Sequence, residues 1–155
     1  MRSYQLEYLQ NIPVSTAEAW DFFSSPLNLA KITPEDMAFT VTSKPSMVSK
    51  MYPGMLITYK VSPLLGIKLD WMTEITHVAE GKYFVDEQRF GPYKFWHHQH
   101  HFREIQGGTE MKDIVTYGLP LGPIGTLANN LLIAAKLRNV FEYRKRKITE
   151  LFGTL

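Results

Sequence analysis

The chain has 155 residues, of which 45% are hydrophobic, 21% charged and 13% aromatic, with a formal net charge of +2. That is the make-up of a globular domain able to bury a core, and the charge is too small to argue for a nucleic-acid partner. The absence of cysteine excludes disulfides, thiolate catalysis and thiolate metal sites.

The N-terminus has no apolar signal region, and no run approaches the ~18 apolar residues of a membrane span. The expectation is therefore one cytoplasmic domain over residues 1–155. Residues 3–12 alternate around Tyr4, Leu6, Tyr8 and Leu9 and predict a first strand. Ser15-Thr16-Ala17-Glu18 is a capping box that opens a helix over about 16–24, carrying Ala19, Trp20, Phe22 and Phe23. Ser25-Pro26 reads as a cap and a first helical residue, starting a short second helix that runs to about Ile32. Thr33-Pro34 ends it.

Phe39 and Val41 mark a second strand, and Lys44 to Pro53 reads as a loop. Met47, Met51, Tyr52 and Met55 in or beside that loop could gate a cavity mouth, because methionine adapts to varied apolar surfaces. Met55 to Val61 alternates cleanly. After a turn at Pro63–Gly66, Ile67, Leu69, Trp71, Thr73 and Ile75 share a face. Strands follow over Tyr83–Phe90, Tyr93–Ile105 and Met111–Leu119, punctuated by Glu80-Gly81, Gly91-Pro92 and Gln106-Gly107-Gly108.

The longest segment without a turn signal is Pro123 to Phe152. Pro123 suits a first helical position. Leu127, Leu131, Ala134, Leu137, Phe141, Ile148 and Leu151 recur at helical spacing. Arg144, Lys145, Arg146 and Lys147 suit the negative end of the helix dipole. Such a helix is about 45 Å long and needs a broad apolar partner. A curved antiparallel sheet of about six to seven strands supplies one, and a sheet wrapped around a helix can leave space between them.

The order β-α-α-β-meander-α resembles the helix-grip fold of the START/Bet v 1-like (SRPBCC) superfamily. The residues that carry the likeness to a bacterial polyketide cyclase/lipid-transport-like branch are Asp86-Glu87-Gln88, Phe90-Gly91-Pro92-Tyr93, and Trp96 with His98, His100 and Phe102. Gly107-Gly108-Thr109, Met111, Asp113, Tyr117-Gly118-Leu119-Pro120 and Phe141-Glu142-Tyr143-Arg144 continue it. The resemblance implies an α+β fold with a deep cavity between sheet and helix that takes lipids, hormones, polyketides or other hydrophobic molecules. The glycine-rich loop of the plant allergen branch has only Pro53-Gly54 in its place, which argues against a plant-hormone role.

Strand alternation assigns faces independently. If Trp96 and Phe102 point inward, so do His98 and His100. Met111 and Val115 bring Asp113 and Tyr117, Phe84 and Phe90 bring Asp86 and Gln88, and Tyr59 joins from the earlier strand. His97, Gln99, His101 and Arg103 form the outer set. The expected apolar wall is Met55, Ile57, Trp71, Phe84, Trp96, Phe102 and Leu131, with Tyr59 and Tyr117 nearby. Asp86, Gln88, His98, His100 and Asp113 form a polar patch within it.

That patch has several readings. The Asp and His side chains can simply bond one another and fix the sheet. They can orient the polar end of a small hydrophobic ligand in a carrier or sensor. They can act as an acid/base pair in a cyclase-, dehydratase- or hydrolase-type enzyme, with His98 or His100 as base and Asp113 or Asp86 as its partner. Two histidines and one carboxylate also match a three-ligand metal set, but polar strands of this kind are more often just polar, and no metal or cofactor is expected. A last class is a lipid carrier that touches membranes transiently, through the basic helix end and the apolar loop 47–57.

Overall fold

The computed structural model describes residues 2–44, 51–62 and 66–155, Asn130 by its backbone alone. Met47 in the expected gating loop, and most of the turn at 63–66, lie outside the described residues. The elements are β1 (Ser3–Ile12), α1 (Thr16–Phe23), α2 (Pro26–Leu29), two 3₁₀ turns (Ala30–Ile32 and Glu35–Met37), β2 (Thr40–Val41), β3 (Met55–Val61), β4 (Leu69–Ala79), β5 (Tyr83–Phe90), β6 (Phe95–Ile105) and β7 (Gly108–Gly118). A helical run of three parts closes the chain: α3 (Gly122–Ala128), a π-helical segment (Asn129–Ile133) and α4 (Ala134–Phe152).

The strands form one seven-stranded antiparallel sheet in the order β1-β7-β6-β5-β4-β3-β2. With a long C-terminal helical run against it and short helices after the first strand, this is the α+β helix-grip architecture expected from the element order.

The capping box forms as the sequence implies. The Glu18 backbone N–H donates to Ser15 Oγ (3.2 Å), and the Ser15 backbone N–H donates to the Glu18 carboxylate (3.1 Å). The helix so started buries Ala19 and Trp20 against Ile12, Ile32, Phe84, Phe102, Met111 and Ile148. A second cluster joins Val61, Trp71, Trp96, Val115 and Tyr117 on the sheet to Leu137 and Phe141 on α4. Met55, Ile57 and Ile75 make a third. Each fully buried aliphatic side chain of this kind, such as Val115, contributes about 1.5–3 kcal/mol.

Two departures from regular geometry correct the sequence reading. First, β4 and β5 slip register between Met72 and Thr73: Met72 pairs with Phe90 while Thr73 pairs with Gln88, so Arg89 is the extra residue of a bulge. A bulge resets the side-chain alternation, and Phe90 turns outward to 64% exposure instead of inward. Second, the helical stripe changes phase. The inward positions are Gly125, Asn129, Ile133 and Leu137, four residues apart through the π-helical segment, followed by Val140, Phe141 and Ile148. The wide π turn, closed by i→i+5 bonds, advances the inner face more slowly than the expected 3.6-residue period. Leu127 and Leu131 therefore face solvent, and Leu151, near the end of α4, is exposed as well. Gly125 is where the run passes closest to the chain before it: a Cβ there would stand 2.1 Å from the Pro120 carbonyl oxygen.

Candidate functional site

Between the concave face of the sheet and α4 lies a cavity of about 420 Å³. Strands β3, β4 and β6 give it Ile57, Tyr59, Val61, Leu69, Trp71, Thr73, Ile75 and Trp96. From α4 come Lys136, Leu137, Val140, Phe141 and Arg144, and the segment around α2 adds Phe23, Leu29, Met37 and Phe39. Ile67, exposed yet lining the cavity, stands at its opening, and Pro92 and Leu119 also line it. Most of this wall is apolar or aromatic. Trp71 meets Trp96 edge-on with ring centroids 5.4 Å apart, and Tyr93 packs against both. Edge-on and offset aromatic pairs of this kind contribute about 0.5–1.5 kcal/mol beyond the area they bury.

On the sheet side of the cavity, polar side chains form two bonded groups. Thr73 Oγ1 accepts from the Trp71 indole N–H (3.1 Å) and bonds the Tyr59 hydroxyl (2.5 Å). The larger group is a ring of four side chains on β5, β6 and β7. His98 Nε2 lies 3.0 Å from Asp113 Oδ1, and its Nδ1 lies 3.5 Å from Asp86 Oδ2. His100 Nε2 lies 2.8 Å from Asp86 Oδ2, and its Nδ1 lies 2.9 Å from Asp113 Oδ1. Register explains the ring: His98 is opposite Asp86 on β5, and His100 is opposite Asp113 on β7. Directly opposed residues of neighbouring strands have Cβ atoms about 4.5–5.5 Å apart, which is contact distance for these groups.

The ring sets its own charges. Burial pushes the Asp113 carboxyl up, but hydrogen bonds from His100 and His98 outweigh it and hold the group well below the usual carboxylate range. Asp86 is held down likewise, against its burial, by the His100 bond and by the nearby cations. Burial also pulls both imidazoles down. For His100 the two carboxylates overcome it and raise the pKa; for His98 burial and the charge on His100 prevail and lower it. Within the ring, protonation therefore favours His100 over His98.

Arg144, placed in the expected basic helix end, belongs to this site instead. It lines the cavity from α4 with its guanidinium carbon 4.9 Å from the Phe141 ring centroid. Burial lowers its pKa, against the pull of Asp113, Asp86 and Tyr59. Its Nε is shut off from solvent and has no hydrogen-bond partner among the described residues. A signal for its burial was present in the sequence: it falls three residues after Phe141 and four before Ile148, on the inner face.

The structure brings Ile57, Tyr59, Trp71, Phe84, Asp86, Trp96, His98 and His100 of the expected set onto the cavity wall. Asp113 sits behind the two histidines and borders a separate void of about 30 Å³. Other expected members are elsewhere. Met55 is sealed in the core beside Ile57 and Ile75, and Phe102 packs under Trp20. Tyr117 donates its hydroxyl hydrogen to Asn129 Oδ1 (2.7 Å) at the π-helical segment. Gln88 turns to the β5–β6 connection, where its side chain accepts from the Tyr93 N–H (3.1 Å) and donates to the Tyr93 carbonyl (2.6 Å). Leu131 is 66% exposed on the outer side of the helix. Tyr93, Thr73, Val140, Leu137 and Phe141 take the places that the expected wall left unfilled.

Asp86, His98 and His100 each offer a donor atom within 4.8 Å of the others, close enough to embrace a cation. Every imidazole nitrogen of the ring already faces a carboxylate oxygen, however. A cation would have to displace those contacts and any proton the imidazoles carry.

No protein-family model and no curated protein matches the chain. Solved structures do. Protein CV1439 from Chromobacterium violaceum is 13% identical with a TM-score of 0.72, over 98% of this chain and 99% of that one. Ara h 8.0201 is 13% identical with a TM-score of 0.58, over 96% and 99%. The nucleoside-diphosphate sugar epimerase from Corynebacterium glutamicum is 22% identical with a TM-score of 0.64, and the match covers 94% of this chain but 28% of that one. At these identities the likeness shows the fold alone, the helix-grip fold expected from the element order.

Proposed function

We propose that this protein binds one small hydrophobic or amphipathic organic molecule in the cavity between its sheet and α4, as a carrier or sensor. The observation that carries the reading is the cavity itself. Its volume of about 420 Å³ falls within the roughly 300–1,000 Å³ of small-molecule sites, and its wall is apolar with a few converging polar groups. Proteins of this fold usually bind hydrophobic ligands, which supports the same reading. An acid/base enzyme is less well supported, because all four imidazole nitrogens of His98 and His100 face Asp86 or Asp113. Either histidine would have to break a contact before accepting a proton from a substrate.

Native mass spectrometry of the purified protein beside its denatured mass, followed by extraction, tests the proposal. A defined co-purifying small molecule, or stabilisation by members of a panel of lipids, quinones and aromatic polyketides, is the expected result. A clean mass with no stabilisation by any of them would overturn it.

A further inference from the structure

We propose that Arg144 receives the acidic head of the ligand, so that the cavity selects a monocarboxylic acid with an apolar body. This inference rests on the cavity being a ligand site and adds the headgroup class to it.

A guanidinium carries five N–H donors and no acceptor. A buried donor left without a partner costs free energy. Arg144 lines the cavity from α4 with no hydrogen-bond partner among the described residues, and because its Nε is closed off, its Nη groups are the donors left to meet a ligand. Asp86 and Asp113 are the nearest carboxylates, and both histidines lie against one oxygen of each, Asp86 Oδ2 and Asp113 Oδ1, at 2.8–3.5 Å. They act on Arg144 through charge alone, with no hydrogen bond between them.

The guanidinium also has an aromatic neighbour. The Phe141 ring supports one face of it at 4.9 Å. A planar donor fork held against an aromatic ring and bordering an apolar cavity is complementary to a carboxylate, which can accept two parallel N–H bonds. The rest of the wall, with Ile57, Val61 and Trp71, suits a hydrocarbon or ring body.

Charge limits the head to one negative charge. Two carboxylates, Asp86 and Asp113, already stand in the field of Arg144. A monoanion adds a single charge beside the guanidinium. A phosphate dianion would add a second beside Asp86 and Asp113, in a setting where screening by water is weak. Voids of about 20 and 30 Å³ flank Arg144, each with room for an ordered water. If such waters alone satisfied it, Arg144 would be a structural cation, and the experiment must separate that case.

Isothermal titration of the wild-type protein with decanoate, methyl decanoate and decanol makes the separation. The three share a chain and differ in the head. Charge-assisted hydrogen bonds imply that decanoate binds at least about tenfold more tightly than the ester or the alcohol. In Arg144→Gln that preference should fall to about twofold or less while decanol affinity is kept, and Arg144→Lys should retain part of it. Equal binding of the three by the wild type overturns the headgroup assignment and leaves the cavity reading standing. A preference for decanoate that persists in Arg144→Gln overturns the role of Arg144. Failure of all three to bind, each measured up to its solubility limit, overturns both proposals for molecules of this class. The comparison within the wild type does not depend on either variant folding.

Discussion

His98 and His100 stand on one face of β6 with ring centroids 3.8 Å apart, and their environments drive their pKa values in opposite directions. Two imidazolium rings that close repel each other. The carboxylates of Asp86 and Asp113 stabilise one positive charge, and it settles on His100, which holds a short contact to each. On lowering the pH, His100 therefore takes up its proton before His98.

The expected outcome by NMR is two imidazole titrations on opposite sides of the ordinary value of about 6.5. His100 should titrate above it and His98 below. The sign for stability follows. His100 has a raised folded-state pKa, so its contribution is full below about pH 6.5 and is lost as pH rises through its folded value. His98 has a depressed one, so its neutral burial costs stability as pH falls below about 6.5. Asp86 and Asp113 have depressed values, and their contribution is present above about pH 3.9 and lost as pH falls through their folded values. A melting-temperature profile should thus fall steeply on the acid side. His100→Gln should remove the alkaline part of the dependence.

Filling the cavity should separate binding from folding. Val140 lies on α4 at the cavity wall. Val140→Phe places added bulk in open space, so its cost should stay below the roughly 1–3 kcal/mol of overpacking in a close-packed core. Ligand affinity should drop by tenfold or more. Chemical denaturation and a binding titration on the same preparation check both halves.

Tyr117→Phe should loosen the start of the C-terminal helical run. The lost hydroxyl leaves the buried Asn129 Oδ1 without its donor, which costs about 1–3 kcal/mol. Hydrogen exchange should accelerate through Gly125–Ile133 more than in the sheet.

Gln88→Ala should cost about 1–2 kcal/mol through the two bonds it makes to the Tyr93 backbone, with headgroup preference unchanged. Gly91→Ala should act on the same turn, since a Cβ there would stand 2.4 Å from Gln88 Oε1. A binding titration of each variant, beside its denaturation curve, makes the check.

Much of the fold was legible because strand alternation is strict wherever pairing is regular. Trp96, His98 and His100 could be assigned to the inner face from period two alone, as could Trp71, Thr73 and Ile75. The alternation failed at Phe90, because nothing in the local pattern announces the bulge at Arg89. The helix phase failed at Leu131 for a similar reason. A π-helical segment is a backbone event, and its leucines look the same whichever side they face. Arg144 was hidden in a run of four basic residues that suited a helix end. The helix continues past that run to Phe152, so the dipole accounts for those charges poorly. The inner-face spacing, counted from Leu137 through Phe141, was the better guide.

Methyl-labelled NMR during a decanoate titration tests most directly whether the space between sheet and α4 is the binding site. The expected result is that signals of Ile57, Val61, Leu137 and Val140 shift together and saturate, while Ile124, Leu127 and Leu131, exposed on the outer side of the helical run, stay still. Shifts confined to the exposed group, with the cavity methyls unmoved at saturation, would contradict it.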